Sequence, residues 1–245
     1  MKQGIYTIAE NAFLTDSVLR LRLLGDTSPF TAPGQFVNIR LDGNFLRRPI
    51  SVSDWDESGF TLLYKVVGAG TKQLSEMQPG KTLDILTGLG NGFDLSDAGE
   101  RPLLIGGGIG AAPLYRLAKD LRSAGKPVTV ILGFNTASEV FYEDEFRALG
   151  ARVFVTTADG SYGIKGFVTA ALPHIDYSEY YVCGPEPMLK AVFRACETPG
   201  QLSFEERMGC GFGACMGCTC RTVTGWKRIC REGPVLRKGE ILWDA

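Results

Sequence analysis

Leu19, Leu21 and Leu23 alternate with Arg20 and Arg22, the period-two pattern of a strand with one buried face. Residues 35–41, 60–67 and 82–86 read as further short strands. They are set apart by turn-forming pairs at Pro33 and Gly34, Asp42 and Gly43, and Pro79 and Gly80. Strands at this spacing, from residue 4 to about residue 86, predict a small antiparallel β-barrel.

After a Gly-rich, acidic stretch at 88–100 the period changes. Residues 102–105 form a short apolar run, 106–110 a glycine loop, and 111–123 a helical pattern whose Leu114, Leu117, Ala118 and Leu121 share one face. Pro113 falls in the first turn, where a missing N–H costs nothing, and Gly125 and Pro127 stop the helix. Strands are expected at 128–132, 152–156 and 180–183, with helices at 138–149 and 186–196. This alternation predicts a parallel sheet with helical crossovers. From residue 201 neither period continues. The chain therefore reads as an α+β multidomain protein: an antiparallel β-barrel over 1–97, an α/β parallel-sheet nucleotide domain over 98–200 and a small C-terminal cysteine-bearing domain over 201–245.

Charge narrows the partners. Among 245 residues, 26 Lys and Arg face 27 Asp and Glu for a net charge of −1, which leaves no basic excess for nucleic acid or an anionic membrane. The most apolar stretch, 103–114, is shorter than the roughly 20 residues a membrane helix needs. No apolar leader follows Met1, so a cytoplasmic location without disulfides is expected. The 31 glycines ask for backbone-mediated binding. A single histidine, His174, removes Ser-His-Asp triads, His-rich zinc sites and Rieske clusters from consideration.

Five of the seven cysteines lie in the last 36 residues. Cys210, Cys215 and Cys218, followed by Cys230, match the C-x4-C-x2-C…C spacing of plant-type [2Fe–2S] sites. Zinc sites usually show two C-x2-C knuckles instead, although a structural zinc knuckle is the alternative for this segment. Gly209, Gly211, Gly213 and Gly217 interleave with the candidate ligands and let backbone N–H groups approach sulfur. Cys220 reads as core or spare, and Cys196 as a buried small hydrophobe.

Gly106, Gly107, Gly108, Ile109 and Gly110 lie between a buried strand and a helix start, a place for a pyrophosphate. Cys183, Gly184 and Pro185 end a later strand, and open α/β sheets bind ligands at such ends. No Lys or Arg occurs from 133 to 146, whereas Asp159, Glu139 and Glu143 are acidic, so NAD(H) is favoured over its 2′-phosphorylated form.

Four motifs occur in order: R-P-I-S at 48–51, K-V-V-G-A-G-T at 65–71, the glycine loop, and C-G-P-E-P-M at 183–188. Together they resemble the ferredoxin–NADP reductase superfamily over nearly the whole chain. With the four-cysteine tail after the α/β unit, the chain is similar to the electron-transfer subunits of dihydroorotate dehydrogenase B. The resemblance implies that Arg48, Pro49, Ile50, Ser51, Lys65, Val66, Val67, Gly70 and Thr71 hold FAD. It also implies that Cys183 approaches the nicotinamide and that Asp159 stands where relatives using the phosphorylated nucleotide carry Arg.

By the same resemblance the partner is an FMN-containing catalytic subunit that oxidises dihydroorotate, in a heterotetramer with two of each chain. No room remains here for that subunit's barrel of about 250 residues. Phe212, Met216 and Trp226 are candidate docking residues, with packing beneath the cluster as the alternative for each. The rival functions are an NADH-dependent reductase for a different acceptor and a zinc-stabilised nucleotide-binding regulatory module without redox turnover.

Overall fold

The computed structural model describes residues 1–96 and 98–243. Six strands, β1 (Lys2–Phe13), β2 (Val18–Leu24), β3 (Phe36–Ile39), β4 (Arg48–Asp56), β5 (Gly59–Lys65) and β6 (Thr82–Leu89), close a barrel in the order β1-β2-β5-β4-β3-β6. Every pairing is antiparallel. The alternation seen in the sequence sets the faces of β2. Leu19, Leu21 and Leu23 are fully buried with Tyr6, Phe60 and Ile85, while Arg20 and Arg22 point out to Glu10 and Asp56. A short helix, α1 (Ala69–Ser75), bridges β5 to β6. Residues 66 and 67 lead into it rather than extending the strand, and Arg48 to Ser51 open β4.

The second layer is a seven-stranded sheet. In chain order it contains β7 (Pro102–Gly107), β8 (Thr129–Phe134), β9 (Arg152–Thr157), β10 (Ile164–Lys165), β11 (Glu179–Cys183), β12 (Gly200–Ser203) and, after a hairpin, β15 (Val235–Arg237). The spatial order is β10-β9-β8-β7-β11-β12-β15, parallel throughout except at β12–β15. β7 and β11 are neighbours, and the chain leaves them toward opposite sides of the sheet, so the crevice beyond their carboxyl ends is a switch point suited to a ligand. Helix α2 (Ala112–Ser123) buries Leu114, Leu117, Ala118 and Leu121 as its period requires.

The helix expected over 138–149 does not form as one piece. A 3-10 turn at Ala137–Glu139 is separated from α3 (Glu143–Ala148) by Tyr142, whose φ is 65°. Phe141 and Tyr142 are both buried, the first against Phe134 and the second against Tyr115. Burying two adjacent aromatic rings in one core outweighs continuous helical hydrogen bonding. After β12 the cysteine segment contains a hairpin, β13 (Thr219–Thr222) with β14 (Gly225–Arg228). The expected break at residue 200 thus falls at the start of β12, and β15 returns the chain to the same sheet.

Among the described residues the cysteine segment shares its core with the other two units. Cys218, Ile229, Cys230 and Ile241 pack in one cluster with Phe36 and Leu89 of the barrel and with Leu103, Val182 and Leu202 of the sheet. The helix α4 (Glu186–Ala195) closes that cluster with Leu189 and Val192. Among the described residues no helix is long and apolar enough to cross a membrane.

Candidate functional site

Two cavities meet where barrel, sheet and cysteine segment converge. The larger, about 520 Å³, opens at the carboxyl end of the sheet and is lined by Gly107, Gly108, Ile109, Pro185, Met188 and Glu139 among others. The second, about 340 Å³, is walled by Pro49, Ile50 and Ser51 of β4, by Val67 and Thr71 at α1, and by Gly110, Cys183 and Pro234. Lys65, Ile109 and Glu205 belong to both walls, so the cavities are contiguous.

The glycine loop is shaped by close approaches. A Cβ on Gly110 would fall 2.2 Å from the Cys183 carbonyl oxygen, and one on Gly107 would meet Met188 Sδ at 2.3 Å. Gly106 lies beneath the loop against Ala111. These contacts draw the β7 turn and the Cys183–Gly184–Pro185 turn together over one crevice. Thr156, fully buried in its wall, leaves its hydroxyl without a hydrogen-bond partner among the described residues, as a site built to meet a polar ligand would.

Asp159 is outside both cavities. Its carboxylate accepts from the Ser161 hydroxyl at 2.6 Å and the Ser161 N–H at 2.9 Å, and these bonds hold it below the usual carboxylate pKa. The acidic group on the larger cavity is Glu139, which accepts from Asn135 N and Nδ2 and stands 3.8 Å from Lys65 Nζ. Arg48 is also off the cavity wall. It donates to the Asn44 side chain and the Leu46 carbonyl and covers Gly70, where a Cβ would lie 2.4 Å from its Nε. The first two barrel motifs therefore touch each other directly. Val66 packs against the barrel core.

Sequence reasoning missed Glu205. Water reaches it, yet protein crowds it on several sides, and this loss of hydration raises its carboxyl pKa. Nothing in the local pattern marks it beyond its place two residues after a short strand. Cys183 is buried, and its thiol is pushed up to about 12, first by burial and then by the nearby Glu205 charge. It stays protonated at neutral pH and serves neither as nucleophile nor as base.

The four tail cysteines come as two pairs. Cys210 Sγ interacts with the Cys215 side chain and accepts from the N–H groups of Ala214 (3.2 Å), Cys215 (3.4 Å) and Phe212 (3.5 Å). Burial opposes ionisation of Cys210, but these amides outweigh it and bring the thiol down to about 6. Cys218 Sγ accepts from the Cys230 N–H at 3.4 Å, and the two side chains interact. Burial and the Cys218 sulfur push Cys230 up to about 12.

Among the described residues no three potential ligands converge as a single-ion site. Two sulfur pairs ringed by amide donors fit a two-iron cluster, whose irons each take two thiolates, better than one tetrahedral zinc. Gly211 and Gly213, with φ of 79° and 92°, make the turns that aim those amides inward. Cys220 lies apart on β13, opposite Lys227.

Comparison with known proteins agrees with this geometry. Residues 205–242 match the family model of the iron-sulfur cluster binding domain of dihydroorotate dehydrogenase B, and residues 104–194 match the oxidoreductase NAD-binding domain. The chain is 44% identical to the dihydroorotate dehydrogenase B (NAD(+)) electron transfer subunit of Geobacillus sp. (strain WCH70), covering 99% of each chain. It is 42% identical to that of Fusobacterium nucleatum subsp. nucleatum, covering 98% of this chain and 99% of the relative. Among solved structures, one reported for an NADH-dependent reduced ferredoxin-NADP oxidoreductase superposes with a TM-score of 0.89 at 33% identity, covering 98% of this chain and 90% of the other. A barrel, a nucleotide-binding sheet and a paired-cysteine segment in one chain, with relatives this similar over its full length, place the protein in the family of dihydroorotate dehydrogenase B (NAD+) electron transfer subunits.

Proposed function

We propose that the chain carries electrons between NAD(H), bound in the larger cavity, and an FMN-containing catalytic subunit where dihydroorotate becomes orotate, by way of FAD in the smaller cavity and a [2Fe–2S] cluster on Cys210, Cys215, Cys218 and Cys230. The observation that carries this reading is the common wall. Lys65, Ile109 and Glu205 border both cavities, and the third side of the smaller one is the start of the cysteine segment, Phe204, Glu205, Glu206 and Met208. When bound, a flavin exchanges hydride with nicotinamide and single electrons with an iron–sulfur centre.

The residues of the chain supply placement. Gly107, Gly108 and Ile109 of the glycine loop border the larger cavity, where their N–H groups would meet anionic phosphates, and Pro185 and Met188 would give the nicotinamide an apolar seat; the start of α2, Ala112 and Pro113, borders the smaller cavity. Ser51 offers a hydroxyl at the flavin cavity, Thr71 fixes the turn that borders it by donating to the Gly68 carbonyl and accepting from the Val67 N–H, and Phe36 and Leu63 exclude water. Arg48 and Gly70 set the approach of α1 to β4, so their part in FAD binding is to shape the turn that receives it. The amides on Cys210 Sγ stabilise negative charge on the sulfur set. In this reading Asp159 and Glu139 disfavour a 2′-phosphate by charge.

Phe212, Met216 and Trp226 are 41%, 54% and 71% exposed around the cysteine loop, the face from which electrons would leave the chain. They would meet the catalytic subunit, in a cytoplasmic heterotetramer with two of each chain. Trp226→Ala should weaken co-purification with the catalytic subunit; undiminished recovery removes Trp226 from the interface. Cys215→Ala tests the ligand set. The expected result is loss of the reduced-state EPR signal with the flavin retained, and an unaltered signal would contradict the assignment.

A further inference from the structure

The barrel and the cysteine loop meet at one polar side chain. Asn38 lies on β3, opposite Pro49 of β4, and with Phe36 it faces out of the barrel while Val37 and Ile39 face in. Phe36 and Pro49 line the smaller cavity; Asn38 lies beside them on the same face of the barrel, just outside that wall. Its side chain is 1% exposed. Its Nδ2 donates to the Cys210 carbonyl at 3.1 Å, and its Oδ1 is buried with no hydrogen-bond partner among the described residues. The loop approaches so closely that a Cβ on Gly211 would lie 2.4 Å from Asn38 Nδ2. A buried amide with half its capacity unused is costly, and an apolar residue would fill this strand position without that cost. Fixing the first cysteine beside the flavin wall accounts for its presence.

We infer that Asn38 is a positioning residue that sets the separation between flavin and cluster and thereby the rate of single-electron transfer between them. The inference rests on Cys210 being a cluster ligand. In each transfer one electron leaves the reduced flavin and one ferric iron becomes ferrous, with no bond made or broken. The geometry of the nicotinamide cavity does not involve Asn38, so hydride transfer is expected to be independent of it.

The test uses the holo complex with Asn38→Leu, which keeps the volume, and Asn38→Ala, which introduces no crowding. Iron content and reduced-state EPR are measured first, and then anaerobic stopped-flow mixing with NADH separates flavin bleaching from cluster reduction. The expected result is normal iron, flavin bleaching at the wild-type rate, and cluster reduction slowed severalfold. Cluster reduction at the wild-type rate, or equal slowing of both phases, would overturn the inference. If Asn38→Leu sheds its iron, Asn38→Ala decides on the same criteria. Loss of iron from both would also overturn it, because the amide would then retain the cluster rather than set its distance. An iron-free wild type would instead bring down the ligand assignment itself, a result distinct from any of these.

Discussion

At the scale of single residues, environment decides chemistry. Cys183 and Cys210 are both thiols near the redox centre, but burial holds the first protonated while converging amides favour the thiolate of the second. In iron-free protein near pH 7, iodoacetamide should therefore modify Cys210 well ahead of Cys183, as followed by peptide mass spectrometry; faster labelling of Cys183 would contradict the account. Glu205 borders both cavities with a raised pKa. Glu205→Gln should remove one ionisation from the acidic limb of the pH profile of NADH-dependent flavin reduction, and an unchanged profile would exclude Glu205 from that step. The spacing of the four cysteines was legible because a ligand set constrains sequence directly. Glu205 and Asn38 were not, because their roles come from neighbours far along the chain: Cys183 for the first and Cys210 for the second.

At the scale of elements, a strong period specifies its element and a weak one does not. The α2 stripe of Leu114, Leu117, Ala118 and Leu121 is buried as its spacing requires. Leu117→Ala should cost about 2–5 kcal/mol in chemical denaturation, since it empties a fully buried site. The sequence around α3 reads as one helix because its polar surface resembles that of a helix, while the pull of two adjacent aromatic rings into one core has no signature in a single-sequence period. The short strands β12 and β15 escaped for a related reason: three or four residues carry too little period to identify, and their pairing is set by the sheet they join. The β7 turn offers a sharper test. Gly110→Ala forces a methyl against the Cys183 carbonyl, so the two loops must part. Loss of NADH affinity with reduced flavin content is expected by titration and absorbance, and intact binding would show that the loops are not fixed against each other.

At the scale of the whole molecule, the three segments are held by shared burial. The cysteine segment packs on the barrel and the sheet at once, which explains how so short a tail keeps an ordered loop. Several buried acids also couple this packing to pH. Burial raises Cys183 from 9.0, and Tyr64 and Tyr142 from 10.0, each to about 12. The folded state holds these protons more tightly than the unfolded chain does. Stability should thus be fully present below pH 9 and fall as pH rises toward 12; melting temperatures that stay level across that window would contradict the burial of these groups.

The central claim, that one chain unites a flavin and a two-iron centre within single-electron reach, is tested most directly by anaerobic purification followed by metal, flavin and EPR analysis after NADH addition. The account predicts coloured protein with about two iron atoms and one flavin per chain, and a cluster EPR signal that NADH alone elicits. A colourless preparation, zinc in place of iron, or a flavin that NADH reduces while the cluster stays oxidised would contradict it.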